Sequence, residues 1–314
     1  MKKQIIDYIT IIQDSALLLW KNKLLLIFGL ILTLTGGNFN TNQDARESLS
    51  SEEIIAEASS FFSQWNGTTL FLILIFIIFI TILIIILNLS SKIALISSTN
   101  KLLKNKGFSI IKEFKSSKKY FVKIFQVNLL VTIVLLLLLT LLAIPIVILF
   151  ILANTPTLVF ILIAAGALIF IPAALLAYFM LTFSQFYIIK NKLSVKESLK
   201  NSYSLVNVHL RSVILMSLSI LAFEIILSVA VTIALALPVT LAFFINGAFS
   251  IALGVLTIVL FLLISSSLIV IKSISWLKFF TQIARDDSTV PETSTETKKE
   301  TSLEKLEEVS VIKE

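Results

Sequence analysis

The chain has 314 residues, of which 57% are hydrophobic and 14% are charged, and its formal net charge is +7. Apolar stretches of about 20 residues at this composition are typical of a membrane protein and exclude an ordinary soluble domain. The chain has no cysteine and one histidine, His209, which excludes disulfides, thiolate nucleophiles and cysteine-bound metals and leaves little basis for a histidine metal site. Its basic residues lie beside the apolar stretches, so we assign the positive charge to topology and lipid contact and expect no nucleic-acid partner.

The first predicted element is an amphipathic helix over residues 4–19. Tyr8, Ile12 and Leu19 fall on one face of such a helix, and Asp7 and Asp14 fall on the opposite face. This pattern predicts that residues 1–23 form a helix lying in the cytoplasmic membrane interface.

Six apolar stretches follow, and each predicts a membrane span. The spans cover about 24–37, 70–87, 129–153, 158–183, 213–237 and 248–271. The first is short for a span, and we expect a retained span rather than a cleaved signal peptide. Pro145 and Pro172 lie inside spans, whereas Pro238 is expected to end the fifth. Residues 24–285 are thus one membrane domain with an outside loop at 38–68, and residues 286–314 are predicted to be a disordered cytoplasmic tail.

The basic residues are distributed on one side of these six spans. If the N-terminus is cytoplasmic, all of the 26 Lys and Arg residues except Arg46 fall on the cytoplasmic side. We therefore expect an all-α, polytopic helical bundle in the cell membrane, with about six transmembrane helices, cytoplasmic interfacial helices and both termini in the cytoplasm. A homo-oligomer is compatible with this arrangement.

Two predicted inner loops, 104–121 and 190–206, are similar to each other. Each begins with Lys-Asn-Lys and continues with a serine-led helix start, at Ser109 or at Ser194. A parallel internal repeat would explain the similarity. Frequent use of lysine and asparagine is the alternative explanation, and we expect the repeat.

The segments SIIKEFKSSKKYFVKIFQVNLL (109–130) and SVKESLKNSYSLVNVHLRSVI (194–214) carry a resemblance. They resemble the short cytoplasmic helix that leads into a span in the glycerophosphoryl diester phosphodiesterase membrane-domain family and in related six-span bacterial proteins. The resemblance covers most of residues 1–285. It implies a membrane module and does not imply phosphodiesterase activity, because residues 286–314 are too few for the separate catalytic domain that some members carry.

Glu224 is the acidic residue predicted to lie inside a span. A charge there costs about 2.5–3.5 kcal/mol on insertion scales, so a carboxyl group inside a span marks a candidate functional or structural site. Ser217, Ser228 and Thr232 share its predicted helix face and form a polar stripe with it. The group is either a proton- or cation-handling site or a neutral acid bonded to a neighbouring helix.

Other polar residues are predicted near the inner ends of the spans. They either line an inward cavity or hydrogen-bond between helices. They are Asn88, Gln126, Asn128, Ser184, Gln185 and Ser265 to Ser267.

The inner lysines are candidate contacts for anionic lipid headgroups, although topology alone would also account for them. The candidates are Lys104, Lys106, Lys115, Lys118, Lys119, Lys190 and Lys192. We expect a non-catalytic membrane module without a cofactor, whose partner is the lipid bilayer. A small-solute or proton-coupled transporter using Glu224 is the first alternative, and an intramembrane enzyme is the second.

Overall fold

The computed structural model describes residues 7–36, 66–152, 156–244 and 248–287. The outside loop, apart from residues 66–68, and the tail beyond Asp287 lie outside the described residues, as do residues 1–6 of the N-terminal segment. The helices are α1 (Tyr8–Lys21), α2 (Leu25–Thr35), α3 (Gly67–Leu102), α4 (Ile110–Leu152), α5 (Pro156–Phe186), α6 (Val195–Val208), α7 (Leu210–Phe244) and α8 (Ala248–Asp287), with a π-helical turn at Tyr187–Asn191. The described residues contain no strand, so the predicted all-α membrane bundle is confirmed.

Five helices, α3, α4, α5, α7 and α8, are long and apolar enough to cross a bilayer. The helix α2 has 11 residues. At 1.5 Å per residue it is about 16 Å long, roughly half of a hydrocarbon core. It follows α1 at a bend of 106°, and the two make a sixth span only if they are counted as one broken span.

The long helices extend beyond the apolar stretches that predicted them. The helix α4 joins the basic segment at 110–128 to the third predicted span without a break and passes through Pro145. The expected end of the fifth span at Pro238 is wrong, because α7 continues through this proline to Phe244. In a bilayer no water is present to satisfy freed backbone groups, so a helix persists through a proline more readily than it does in water.

Buried side chains of the long helices are confined to one end of the molecule, which we call the packed end. Burial begins at Leu89 in α3, Phe179 in α5 and Ser266 in α8, and it stops at Val127 in α4 and Ile220 in α7. The helices α1, α2 and α6 belong to the same end. The remaining parts of the five long helices, which we call the arms, have no buried residue within the described ranges.

An aromatic cluster from α5 and α8 forms the centre of the packed end. Phe183 has no exposed surface, and its ring centroid lies 5.7 Å from that of Trp276 and 5.9 Å from that of Phe280. The helix α1 joins this cluster through Tyr8, which lies 6.3 Å from Phe279. The predicted amphipathic face of α1 therefore packs on α8, with Ile12 and Leu19 buried, although Ile9 is 65% exposed.

Each Lys-Asn-Lys triplet ends a helix. Asn22 follows α1 as its C-cap, and Asn105 and Lys192 take left-handed backbone conformations, with φ of 55° and 60°, after α3 and the π-helical turn. Ser194 then begins α6 with the two reciprocal bonds of a capping box. The second loop differs from the first, since α6 ends at Val208 before α7 begins, whereas α4 is continuous. The internal repeat stays a prediction.

Candidate functional site

Glu224 of α7 forms an ion pair with Lys272 of α8. The Lys272 Nζ lies 3.0 Å from Oε1 of Glu224 and 3.3 Å from Oε2. Both side chains are partly exposed, at 39% for Lys272 and 30% for Glu224. Neither predicted environment of Glu224 included this partner, because Lys272 lies one residue beyond the expected end of the sixth span. Its ammonium group supplies the counter-charge that a carboxylate needs at this depth.

The Glu224 carboxylate faces a cleft of about 380 Å³, which we call the Glu224 cleft. Thr33, Ser228 and Ser265 line it together with apolar residues of α7 and α8. The predicted polar stripe is only partly inside, since Ser228 lines the cleft and Ser217 and Thr232 do not. The Ser228 and Thr232 hydroxyls donate to backbone carbonyls of their own helix, as membrane-helix hydroxyls commonly do.

A second cavity, of about 250 Å³, lies on the other side of Lys272. Four helices line it, and we call it the lysine cavity because two lysines face it. Its lining is Leu32 from α2; Asn88, Lys92, Leu95 and Ile96 from α3; Tyr178, Thr182, Gln185 and Phe186 from α5; and Ile269, Lys272, Ser273 and Trp276 from α8.

The lysine cavity has an excess of positive charge. Lys92 of α3 and Lys272 of α8 both line it, so two ammonium groups of like charge face one space. Lys272 is paired with Glu224, but Lys92, which is half-buried, has no hydrogen bond or ion pair within the described residues. The ammonium group of Lys92 therefore lines the cavity without a counter-charge among the described residues.

Two amide side chains that line the lysine cavity are bonded to neighbouring helices. The Asn88 amide donates to Thr35 Oγ1 at 3.0 Å, and the Gln185 amide donates to Asn128 Oδ1 at 3.0 Å. Trp276 differs, because its buried indole N–H has no acceptor. The expected polar cluster at the inner span ends is thus confirmed for Asn88 and Gln185, which line this cavity, whereas Gln126 is exposed outside it.

The exposed lysines of the packed end form part of a mixed face on α4. Ile111 and Val122 are 80% and 60% exposed, and Lys115 and Lys118 lie between them on the same side of the helix. Of the candidate lipid contacts, Lys104, Lys106, Lys115, Lys118, Lys119 and Lys192 are exposed. Lys190 is half-buried, and its Nζ lies 5.2 Å from the centre of the Phe280 ring. Its ammonium group therefore contacts an aromatic ring of the protein and is less available to lipid than the exposed lysines are.

Sequence reasoning missed Lys92, Lys272 and Glu113. Glu113 is 1% exposed, accepts a hydrogen bond of 2.6 Å from Ser97 and pairs with Lys101. A signal for Lys272 was present, since it and Glu224 lie at similar distances along the chain from residues 245–247, which separate two antiparallel helices. Among the described residues no group of three or more His, Asp or Glu could hold a metal ion.

No protein-family model, curated protein or solved structure matches this chain. The resemblance to the phosphodiesterase membrane-domain family therefore stays a prediction.

Proposed function

We propose that this integral membrane protein is a non-catalytic membrane module whose packed end lies at the cytoplasmic face and binds anionic lipid headgroups. The observation that supports this proposal is the exposed face of α4, on which lysines lie between apolar side chains. Ile111, Lys115, Lys118, Val122 and Phe125 follow one another at helical spacing on this face, and all five are exposed.

An exposed face of this composition fits the boundary between headgroups and acyl chains. Apolar side chains such as Ile111 and Val122 gain free energy by entering the acyl region, and lysines keep their ammonium groups at headgroup level. The helix α4 runs from this face into its own arm without a break, so the arm fixes the depth of the lysines. Each lysine near an anionic surface contributes about 1 kcal/mol of attraction at moderate salt.

The composition of co-extracted lipid tests the proposal. Full-length protein would be excised from phosphatidylglycerol-containing membranes in polymer-bounded nanodiscs, and the fraction of anionic lipid would be measured. The variant Lys115→Gln/Lys118→Gln, which removes both lysines of this face, should lower the enrichment of phosphatidylglycerol over the bulk membrane.

The matched control is Lys196→Gln/Lys200→Gln, which removes the same charge from one face of another helix of the packed end. These lysines are exposed on α6 among Glu197, Asn201 and Ser204, where the exposed Tyr203 takes the place of the aliphatic neighbours of α4. The control should keep the enrichment. Equal enrichment in wild type and both variants, or equal loss in both variants, would refute the proposal.

A transporter of a small solute or of protons is the second candidate function. The ion pair of Glu224 and Lys272 favours it, because the pair faces an open cleft instead of a dry helix interface. Protein in liposomes containing a pH-sensitive dye should then show proton flux that Glu224→Gln removes and Ser217→Ala preserves. Flux that survives Glu224→Gln in folded protein would contradict a role for this carboxylate.

A further inference from the structure

The geometry points to a binding site for a phosphate-type anion in the lysine cavity, between α2, α3, α5 and α8. The site is separate from the α4 face, and it does not rest on the lipid contacts proposed for that face. Its ligand is a phosphate ester or phosphate ion, and it would be held between the ammonium groups of Lys92 and Lys272.

The charges of the cavity carry the first step. Two like charges face one space, and among the described residues the carboxylate that pairs with either of them is that of Glu224, which contacts Lys272 from the Glu224 cleft. Removing an ammonium group from water without a counter-charge is unfavourable. An anion between the two lysines would remove both the repulsion and the missing counter-charge of Lys92.

The hydrogen-bonding groups carry the second step. Trp276 lines the cavity, is 3% exposed and has an indole N–H without an acceptor. An indole N–H can only donate, and so can an ammonium group. Two ammonium groups on one cavity favour an anionic oxygen ligand and disfavour a cation, and the Trp276 N–H, which has almost no accessible surface, is a further unsatisfied donor beside them.

The size and position of the cavity carry the third step. Its volume of about 250 Å³ lies below the usual range for drug-sized ligands, so it suits a small anionic group rather than a whole lipid. Asn88 and Lys92 directly follow the apolar arm of α3, which places the cavity at one end of the hydrocarbon layer. A lipid phosphate and a free phosphate ion are both available at that depth.

Trp276 itself can report binding. The chain has three tryptophans, and Trp20→Phe/Trp65→Phe leaves Trp276 as the single fluorophore. This full-length protein would be held in phosphate-free maltoside micelles, because phosphatidylcholine itself carries a phosphate ester, and titrated in two series, one with phosphatidylglycerol and one with inorganic phosphate. We expect a saturable change in Trp276 emission. Saturation by phosphatidylglycerol alone identifies a lipid phosphate, saturation by inorganic phosphate identifies the free ion, and either supports the site.

Variants of the two ion partners make the test specific. Lys92→Gln should weaken binding about tenfold or more, because it removes a charge-assisted hydrogen bond, and Lys92→Arg should retain binding. Glu224→Gln should tighten binding by up to about fivefold, since it frees Lys272 from a partly exposed ion pair. A gain of affinity cannot arise from unfolding. The surface variant Lys196→Gln, on α6 and outside both sites, should bind as wild type does.

Several results would overturn the site. They are no emission change with either probe, equal affinity for wild type and folded Lys92→Gln, or a loss of affinity in Glu224→Gln as large as in Lys92→Gln. Loss of enrichment in the α4 variant without any change at Trp276 would separate the two sites.

Discussion

Gly29 of α2 lies against the backbone of Ser266 in α8. A Cβ atom added to Gly29 would lie 2.6 Å from the Ser266 carbonyl oxygen and 2.7 Å from Cγ2 of Val270. The carbonyl belongs to a helix backbone and cannot rotate away as a flexible side chain could. This close approach fixes the position of α2 against α8. The helix α2 lines the lysine cavity through Leu32 and the Glu224 cleft through Thr33.

Gly29→Ala should therefore destabilise the protein. Overpacking a tight contact costs about 1–3 kcal/mol, and here it should also displace α2 from α8. Thermal unfolding in detergent would measure the loss. The control Gly254→Ala lies in α8 with nothing near its added Cβ, so it should be neutral or slightly stabilising. Equal unfolding temperatures for both variants would contradict the close contact.

The Lys101–Glu113 pair should respond asymmetrically to substitution. Glu113 is 1% exposed, whereas Lys101 is 44% exposed, so Lys101 can rehydrate when its partner is lost and Glu113 cannot. We expect Lys101→Met to cost about 3–5 kcal/mol, because it leaves a buried carboxylate without its counter-charge. Glu113→Gln should cost about 1 kcal/mol, the value of an ordinary hydrogen bond. Equal losses in chemical unfolding would show that the carboxylate reaches water.

Stability should depend on pH through Glu197. The Ser194 hydroxyl donates to Glu197 Oε2 at 2.8 Å, and this bond, with the Ser194 backbone N–H, holds the pKa of Glu197 below its usual 4.5. A lowered folded-state pKa contributes stability above the unfolded pKa, and that contribution is lost as pH falls through the folded pKa.

Wild type should thus lose stability as the pH is lowered from about 4.5. The variant Ser194→Ala should be less stable than wild type at pH 6, and its stability should change less with pH below 4.5. Ser194→Thr should restore the wild-type slope, since threonine can form the same cap. Unfolding temperatures measured from pH 3 to pH 6 would check both variants. Parallel curves for Ser194→Ala and wild type would show that the cap is not the cause.

Much of the fold could be predicted from the sequence because it depends on local signals. The Ser194 cap and the apolar stretches act within a few residues, and the structure confirms them. The sequence places Glu224 and Lys272 only at similar distances from residues 245–247, and it does not show that they pair, because pairing depends on the axial alignment and rotation of α7 and α8. The lysine cavity is formed by residues of four helices, and no local sequence pattern indicates that Lys92 lines it.

The orientation predicted from the basic residues can be tested directly. The chain has no cysteine, so a single introduced cysteine reacts without background. Lys118→Cys at the packed end should react with an impermeant maleimide only after the cells are opened, and Thr68→Cys at the start of α3 should react in intact cells. The reverse pattern would place the lysines of α4 outside and would refute the proposed contact with cytoplasmic headgroups.

Stability should come from the packed end and not from the arms. Phe183 has no exposed surface and contacts aromatic rings of α5 and α8, whereas Phe71 in the arm of α3 is 61% exposed. Phe183→Ala should cost about 3–5 kcal/mol, the range for a buried phenylalanine. Phe71→Ala removes the same atoms from a surface that lipid covers in both folded and partly unfolded states, so its effect should be small. A large loss for Phe71→Ala would mean that another protein surface covers the α3 arm. Comparing the two variants as dilute monomers and at high concentration would then identify a second copy of the chain as that surface.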